Sequence, residues 1–149
     1  MFRFLSIALV LVLGPEVLAD EAAAKESKAL QGEWTWVRHE VGGTQMFPDP
    51  NDRPVIKIEK ERWSFRNKSL EAFKEVGTFK LDVATTPKCV DLISTDEKTK
   101  GQKNEAIYKL EQEKLTVVVN LNADDKNRTM GFETKDKPGM ILVVFEKKK

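Results

Sequence analysis

Residues 30–37 read LQGEWTWV, in which a glycine is followed by two tryptophans that a single threonine separates. Trp34 and Trp36 are two of only three tryptophans in 149 residues. Side chains alternate across a β-strand, so both rings point to one face if this stretch is extended, and Arg38 follows on that face. The stretch therefore predicts a strand with an aromatic face, which forms either ordinary core or the wall of a pocket.

Short alternating runs of apolar and polar residues continue along the rest of the chain, separated by polar turns. Within residues 55–65, Ile56 and Ile58 share one face, and Trp63 and Phe65 share one face. Similar runs cover residues 76–83, 88–94, 106–110, 115–121 and 139–147. Eight or nine short strands predict an all-β domain, built either as a sandwich or as a closed barrel.

The composition argues against several classes of partner. The chain has 25 basic and 24 acidic residues, a formal net charge of +1. Nucleic-acid binding proteins usually carry a basic patch or stripe, so we expect no nucleic-acid partner. Hydrophobic content of 40% and charged content of 33% are typical of a soluble globular domain.

The first residues have the pattern of a secretory signal peptide. Arg3 precedes the apolar run 4–13, a Gly-Pro pair follows, and the small residue Ala19 stands just before Asp20. The run is too short to span a membrane. We predict that residues 1–19 are removed and that the product is exported to the periplasm or the extracellular space, without membrane insertion.

The remainder divides into a leader and one domain. Residues 20–30 are rich in Ala, Glu and Lys, a composition that favours a short helix. Residues 31–149 hold all the predicted strands, and this length is enough for a single core. We expect a helical leader followed by one β-domain that is a monomer.

Motifs that carry chemistry are missing from the sequence. It has no glycine-rich phosphate loop, no HExxH, no paired cysteines and no GxSxG. Cys89 and His39 are the only cysteine and histidine, and sequence spacing does not show whether they meet in space. We therefore predict no enzyme activity, no catalytic residue, no metal site and no cofactor.

Four segments occur together and in order: LQGEW (30–34), GTFKLD with TTPKCVDL (77–92), AIYKLEQEKL (106–115) and NRTMGF (127–132). In this the chain resembles an uncharacterised secreted domain family that is expanded in planctomycete bacteria and whose fold is described as lipocalin-like. The most specific residues of the resemblance are Pro87, Lys88, Asp91 and Leu92, joined by Tyr108. The chain departs from the family pattern at Ala106 and Thr129, where the family usually has Gly and Pro.

The Gly32-x-Trp34 pair also resembles the motif that begins the first strand of lipocalins. This resemblance implies an antiparallel up-and-down barrel of about eight strands with a short N-terminal helix. It also implies that Trp34 closes one end of the barrel against an arginine from late in the chain, for which Arg128 is the matching candidate.

Two functions follow from a lipocalin-like barrel. An eight-stranded barrel has room for one small ligand, and Trp36, Trp63 and Phe65 are the candidate wall of such a site. The first expectation is an exported, non-enzymatic binding module that holds a small apolar ligand in or at the mouth of the barrel. The alternative is a filled barrel that acts through its outer surface on an unidentified protein.

Overall fold

A computed structural model of the chain describes residues 15–121 and 128–149. The apolar run of the predicted signal peptide and Asn127 of the NRTMGF segment lie outside the described residues. Within the described part of the chain, no helix combines the length and the apolar character needed to cross a membrane.

The described residues form one helix followed by nine strands. Their bounds are α1 (Pro15–Leu30), β1 (Gly32–Val41), β2 (Thr44–Met46), β3 (Val55–Glu59), β4 (Arg62–Arg66), β5 (Lys74–Asp82), β6 (Lys88–Ser94), β7 (Lys103–Glu111), β8 (Lys114–Asn120) and β9 (Met140–Lys147). Each alternating run of the sequence corresponds to one or two of these strands. The short strand β2 has no counterpart among the predicted ones.

The sheet closes on itself through β1. The first half of β1 pairs with β3, and the strand also pairs along most of its length with β9, while β3 to β9 pair in sequence order. All of these pairings are antiparallel, so β1 and β3–β9 form a closed eight-stranded barrel. Strand β2 pairs only with the far half of β1. The predicted all-β, lipocalin-like barrel with an N-terminal helix is confirmed.

A β-bulge in β1 changes which side chains face inward. Trp36 pairs with Phe145 and Arg38 pairs with Val144, so Val37 is the extra residue. A bulge of this kind reverses the alternation beyond it. His39 therefore shares the inner face and meets the Trp36 ring edge-on at 5.4 Å between centroids. The prediction that Arg38 follows the two tryptophans on one face is wrong for this reason.

The two ends of the barrel differ. Helix α1 lies at the end where β1 begins, and we call this the closed end. Gln31 fixes the helix to the β3–β4 turn, because its Oε1 accepts a hydrogen bond from the Lys60 amide at 2.6 Å and its Nε2 donates to the Lys60 carbonyl at 3.1 Å. The longer connections 47–54, 67–73 and 95–102 lie at the opposite, open end, where β8 ends and β9 begins.

A second hydrophobic cluster lies on the outside of the barrel wall. It consists of Cys89, Ile107, Val118, Leu142 and Val144, which alternate with inward-facing neighbours and are all buried. We call these five residues the outer core. Val37 and Phe132 pack against them, so the bulge residue contributes to the outer core.

Residues 128–139, which precede β9, cover the outer core, and we call them the outer segment. Thr134 in this segment is fully buried, and its hydroxyl donates to Glu40 Oε1 at 2.7 Å. The Gly43 amide donates to the same hydroxyl at 2.9 Å. Cys89 lies beneath this layer, whereas His39 is on the inner face, so the barrel wall separates the two residues.

Candidate functional site

The inside of the barrel contains an apolar cavity of about 220 Å³. Sixteen of the described residues line it, and all sixteen are apolar or aromatic. They come from the end of α1 and from strands all around the barrel. Six of the sixteen are aromatic: Trp36, Trp63, Phe65, Phe79, Tyr108 and Phe145. The three residues predicted from the sequence as a candidate wall, Trp36, Trp63 and Phe65, therefore lie on one cavity. Leu92 of the family motif lines it as well.

Trp36 is positioned by two ring contacts. Its ring meets the Phe145 ring at 5.9 Å and an interplanar angle of 61°, and the His39 ring at 5.4 Å and 84°. Both are edge arrangements of the kind that aromatic pairs prefer. The bulge at Val37 creates the contact with His39, because it turns that residue to the inner face.

Trp63 is positioned by a glycine on the neighbouring strand. Gly77 pairs directly with Trp63. A Cβ atom added to Gly77 would lie 2.9 Å from Trp63 Nε1 and would clash with the Ile93 carbonyl oxygen. The indole therefore occupies space that is open only because residue 77 lacks a side chain. Sequence reasoning missed this role, although a lone glycine within an alternating run is a signal of close approach.

The polar atoms of the cavity aromatics are not exposed on the cavity surface. Trp36 Nε1, Trp63 Nε1 and the Tyr108 hydroxyl are all buried without a hydrogen-bond partner. In the part of the chain that the structure describes, only carbon surface faces the cavity. The site can therefore bind through the hydrophobic effect and ring contacts, but it offers no hydrogen bond.

A few polar side chains lie together beneath α1, at the closed end of the cavity. Lys88 Nζ forms an ion pair with Glu26 Oε1 at 2.9 Å. The Tyr108 hydroxyl lies close to the Glu26 carboxylate but outside hydrogen-bond geometry. Burial raises the pKa of the Tyr108 phenol, and the negative charge of Glu26 raises it further. Tyr108 is therefore neutral and contributes its ring to the cavity.

We expect Tyr108→Phe to leave the free energy of unfolding unchanged or to raise it by up to about 2 kcal/mol, because it removes a buried, unpaired hydroxyl. Tyr108→Ala is the control and should cost about 3–5 kcal/mol, since it removes the ring as well. Urea unfolding measures both. A loss of more than about 1 kcal/mol in Tyr108→Phe would mean that the hydroxyl donates to Glu26 after all.

The residues of β6 that carry the resemblance make contacts in three different places. Lys88 binds Glu26 at the closed end, Asp91 binds Arg128 on the outside, and Leu92 lines the cavity. Pro87 precedes the strand, where its missing N–H leaves no ladder hydrogen bond unmade. The contacts of Lys88 and Asp91 hold α1 and the outer segment to the barrel, and the residues of this stretch do not meet at one place.

The residues predicted to close the barrel are only partly brought together. Gly32 has a φ of 110°, which suits glycine, and Trp34 is fully buried with its Nε1 donating to the Leu30 carbonyl at 2.8 Å. The cation over the Trp34 ring is Lys147, whose Nζ lies 5.1 Å from the ring centroid. The predicted pairing of Trp34 with Arg128 is wrong, because Arg128 belongs to the outer segment.

Arg128 instead anchors the outer segment to the wall. Its guanidinium donates to Asp91 Oδ1 at 2.5 Å and to the Ala106 carbonyl at 2.9 Å. Partial burial lowers the pKa of the guanidinium, but the hydrogen bond to Asp91 and the neighbouring negative charges, including those of Asp91 and Glu105, together raise it above its usual value. Lys103 Nζ lies 3.6 Å from the other oxygen of Asp91, so that carboxylate serves two cations.

Among residues 15–121 and 128–149, no group of three or more His, Cys, Asp or Glu side chains is placed to hold a metal ion. Comparison with known proteins gave no matching protein-family model, no matching curated protein and no matching solved structure.

Proposed function

We propose that this chain is an exported, non-enzymatic binding protein that holds one small apolar ligand inside its barrel. The observation that carries the proposal is the cavity of about 220 Å³ with its wholly apolar lining. Small-molecule sites are concave and mostly apolar. An eight-stranded barrel is about the smallest that has room for a ligand at all.

The volume limits the size of the ligand. A dry apolar cavity of about 150 Å³ takes a benzene molecule, whereas drug-sized ligands occupy pockets of about 300 Å³ or more. The barrel cavity lies between these values at about 220 Å³. A ligand of about one ring, or a short aliphatic group, fits this range.

Export is the second element of the proposal, and the contacts of α1 support it. Residues 16–20 are all exposed, whereas Glu26, Ala29 and Leu30, which form ion-pair or hydrogen-bond contacts with the barrel, lie beyond Asp20. Removal of residues 1–19 therefore takes away only the part of the helix without these contacts. We also propose that the chain is related to the planctomycete secreted family that it resembles.

A protein-interaction role is the alternative, and one surface favours it. Phe47 is 69% exposed, next to the partly exposed Met46 at the end of β2. Exposed apolar groups of this kind mark interaction sites when they form a patch. In that case the protein acts through the outside of the barrel and the cavity is incidental.

Toluene separates the two candidates, because it is a single ring with no polar group. We expect toluene to raise the melting temperature saturably, since a ligand at 100 times its Kd stabilises the folded state by about 2.7 kcal/mol. Differential scanning calorimetry measures the shift. No shift at saturating toluene would favour the protein-interaction role.

Two matched variants locate the binding. Leu92→Trp places an indole where Leu92 lines the cavity, and it should abolish the toluene shift. Leu121→Trp makes the same change at a residue that is 52% exposed and outside the cavity lining, so its shift should equal that of the wild type. Equal shifts in the two variants would place toluene elsewhere on the protein.

A further inference from the structure

We infer that the resident ligand is an uncharged, monocyclic aromatic molecule whose enclosed part carries no hydrogen-bonding group. The inference rests on the proposed binding function and narrows it to a chemical class. Two observations carry it: the cavity wall presents only carbon, and aromatic side chains make up six of its sixteen lining residues.

The carbon-only wall results from how three aromatic side chains are held. Trp63 Nε1 is packed over Gly77, which leaves no room for a ligand atom between them. The Tyr108 hydroxyl is directed to Glu26 at the closed end. Trp36 is held edge-on between His39 and Phe145, with its Nε1 buried.

A polar group on the ligand would lose its hydrogen bonds to water and find none in this cavity. Burying an uncompensated hydroxyl in a protein weakens binding by about 10-fold to 100-fold. A charged group is far more unfavourable in the same surroundings. The cavity therefore disfavours polar analogues because it has no hydrogen-bonding group to offer them, and no repulsive contact is needed.

The aromatic lining and the small volume favour a ring over a flexible chain. Ring edges and faces attract one another beyond the burial of area, and Trp36 already makes two such contacts. A rigid ring also loses no internal rotamers when it is immobilised, whereas an aliphatic chain does. For equal carbon number, the ring is expected to bind more tightly.

Three probes test the class: toluene, phenol and n-heptane, each measured by its effect on the melting temperature. Phenol replaces the methyl group of toluene by a hydroxyl of similar size, and n-heptane has the same number of carbon atoms as toluene in a flexible chain. We expect phenol to bind at least 10-fold more weakly than toluene, and n-heptane to bind more weakly than toluene.

The outcomes are distinguishable. Phenol binding as tightly as toluene would overturn the exclusion of polar groups, and n-heptane binding more tightly would overturn the preference for a ring; in both cases the binding function would stand. If none of the three binds, the proposed function fails together with the inference.

A variant pair tests the cause of the selectivity. Val119→Thr puts a hydroxyl of similar shape on a residue that lines the cavity, and it should reduce the ratio of toluene to phenol affinity at least threefold. Val41→Thr makes the same change at the exposed end of β1, outside the lining, and should leave that ratio unchanged. An unchanged ratio in Val119→Thr would mean that the carbon-only wall does not set the selectivity.

Discussion

Trp34→Ala should lower the free energy of unfolding by about 3–5 kcal/mol, as expected for a large aromatic residue that is fully buried. The whole stability of a domain this size is about 5–15 kcal/mol, so the variant is expected to lie near the limit of folding. The substitution also removes two contacts of the indole. Trp34 Nε1 donates to the Leu30 carbonyl at 2.8 Å and so joins β1 to α1, and the ring lies under Lys147 Nζ at 5.1 Å.

Trp36→Ala is the matched control for this prediction, since it removes the same side chain two residues along the strand. Trp36 is only partly buried and borders the cavity, and its Nε1 has no partner to lose. We expect a smaller loss than in Trp34→Ala, measured by urea unfolding, together with weaker toluene binding. Equal losses in both variants and no toluene binding would mean that the two tryptophans form ordinary core.

Lys147→Met removes the cation, together with its hydrogen bond to the Ala29 carbonyl, and leaves the Trp34 ring in place. A cation–π contact at a partly exposed site contributes about 0.5–2 kcal/mol, less than the burial of the indole. Lys147→Met should therefore cost much less than Trp34→Ala. Arg128→Met should leave the surroundings of Trp34 unchanged, because its guanidinium contacts Asp91 and the carbonyls of β6 and β7.

The inner face of the barrel was predictable from the sequence because it follows from strand alternation. Ile56 and Ile58 on β3 and Trp63 and Phe65 on β4 are two-residue repeats, and all four line the cavity. The same rule placed Trp34 and Trp36 on one face. Alternation fixes the side of the sheet on which a residue lies, and in a closed sheet one side is the interior.

The bulge at Val37 was not predictable in the same way. Its position depends on how β1 must bend to pair with β3, β2 and β9, and these pairings are long-range. In the local sequence WVRHE two apolar residues are followed by three polar or charged ones, and this pattern does not show where an extra residue is inserted. This one extra residue places His39 on the inner face of the barrel and Arg38 on the outer face, the reverse of the prediction.

A pattern in the sequence indicates the outer core, which was not predicted. Residues 141–145 read ILVVF and residues 117–119 read VVV, which are apolar at successive positions. A strand with one solvated face alternates, whereas a continuous apolar run indicates burial on both faces. These runs indicate that something covers the outside of β8 and β9, and the outer segment is that cover.

Gly77→Ala should lower the free energy of unfolding by about 1–3 kcal/mol or more, as expected when a methyl group is forced into a filled site. The added Cβ meets the Ile93 carbonyl oxygen, which is backbone and cannot rotate away, and it lies 2.9 Å from Trp63 Nε1. Relief requires β5 to move from β6 or the indole to move into the cavity, so toluene binding should fall together with stability. Thermal unfolding with and without toluene measures both effects.

Gly131→Ala is the matched control, because a Cβ there would come no closer than 3.5 Å to any of its neighbours, the nearest being Lys137 Nζ. It should change neither the melting temperature nor the toluene shift appreciably. If Gly77→Ala proved as stable as Gly131→Ala and bound toluene as well as the wild type, Trp63 would not depend on the missing side chain. The carbon-only wall would then need another cause, since the position of Trp63 Nε1 over Gly77 is what keeps that donor out of the cavity.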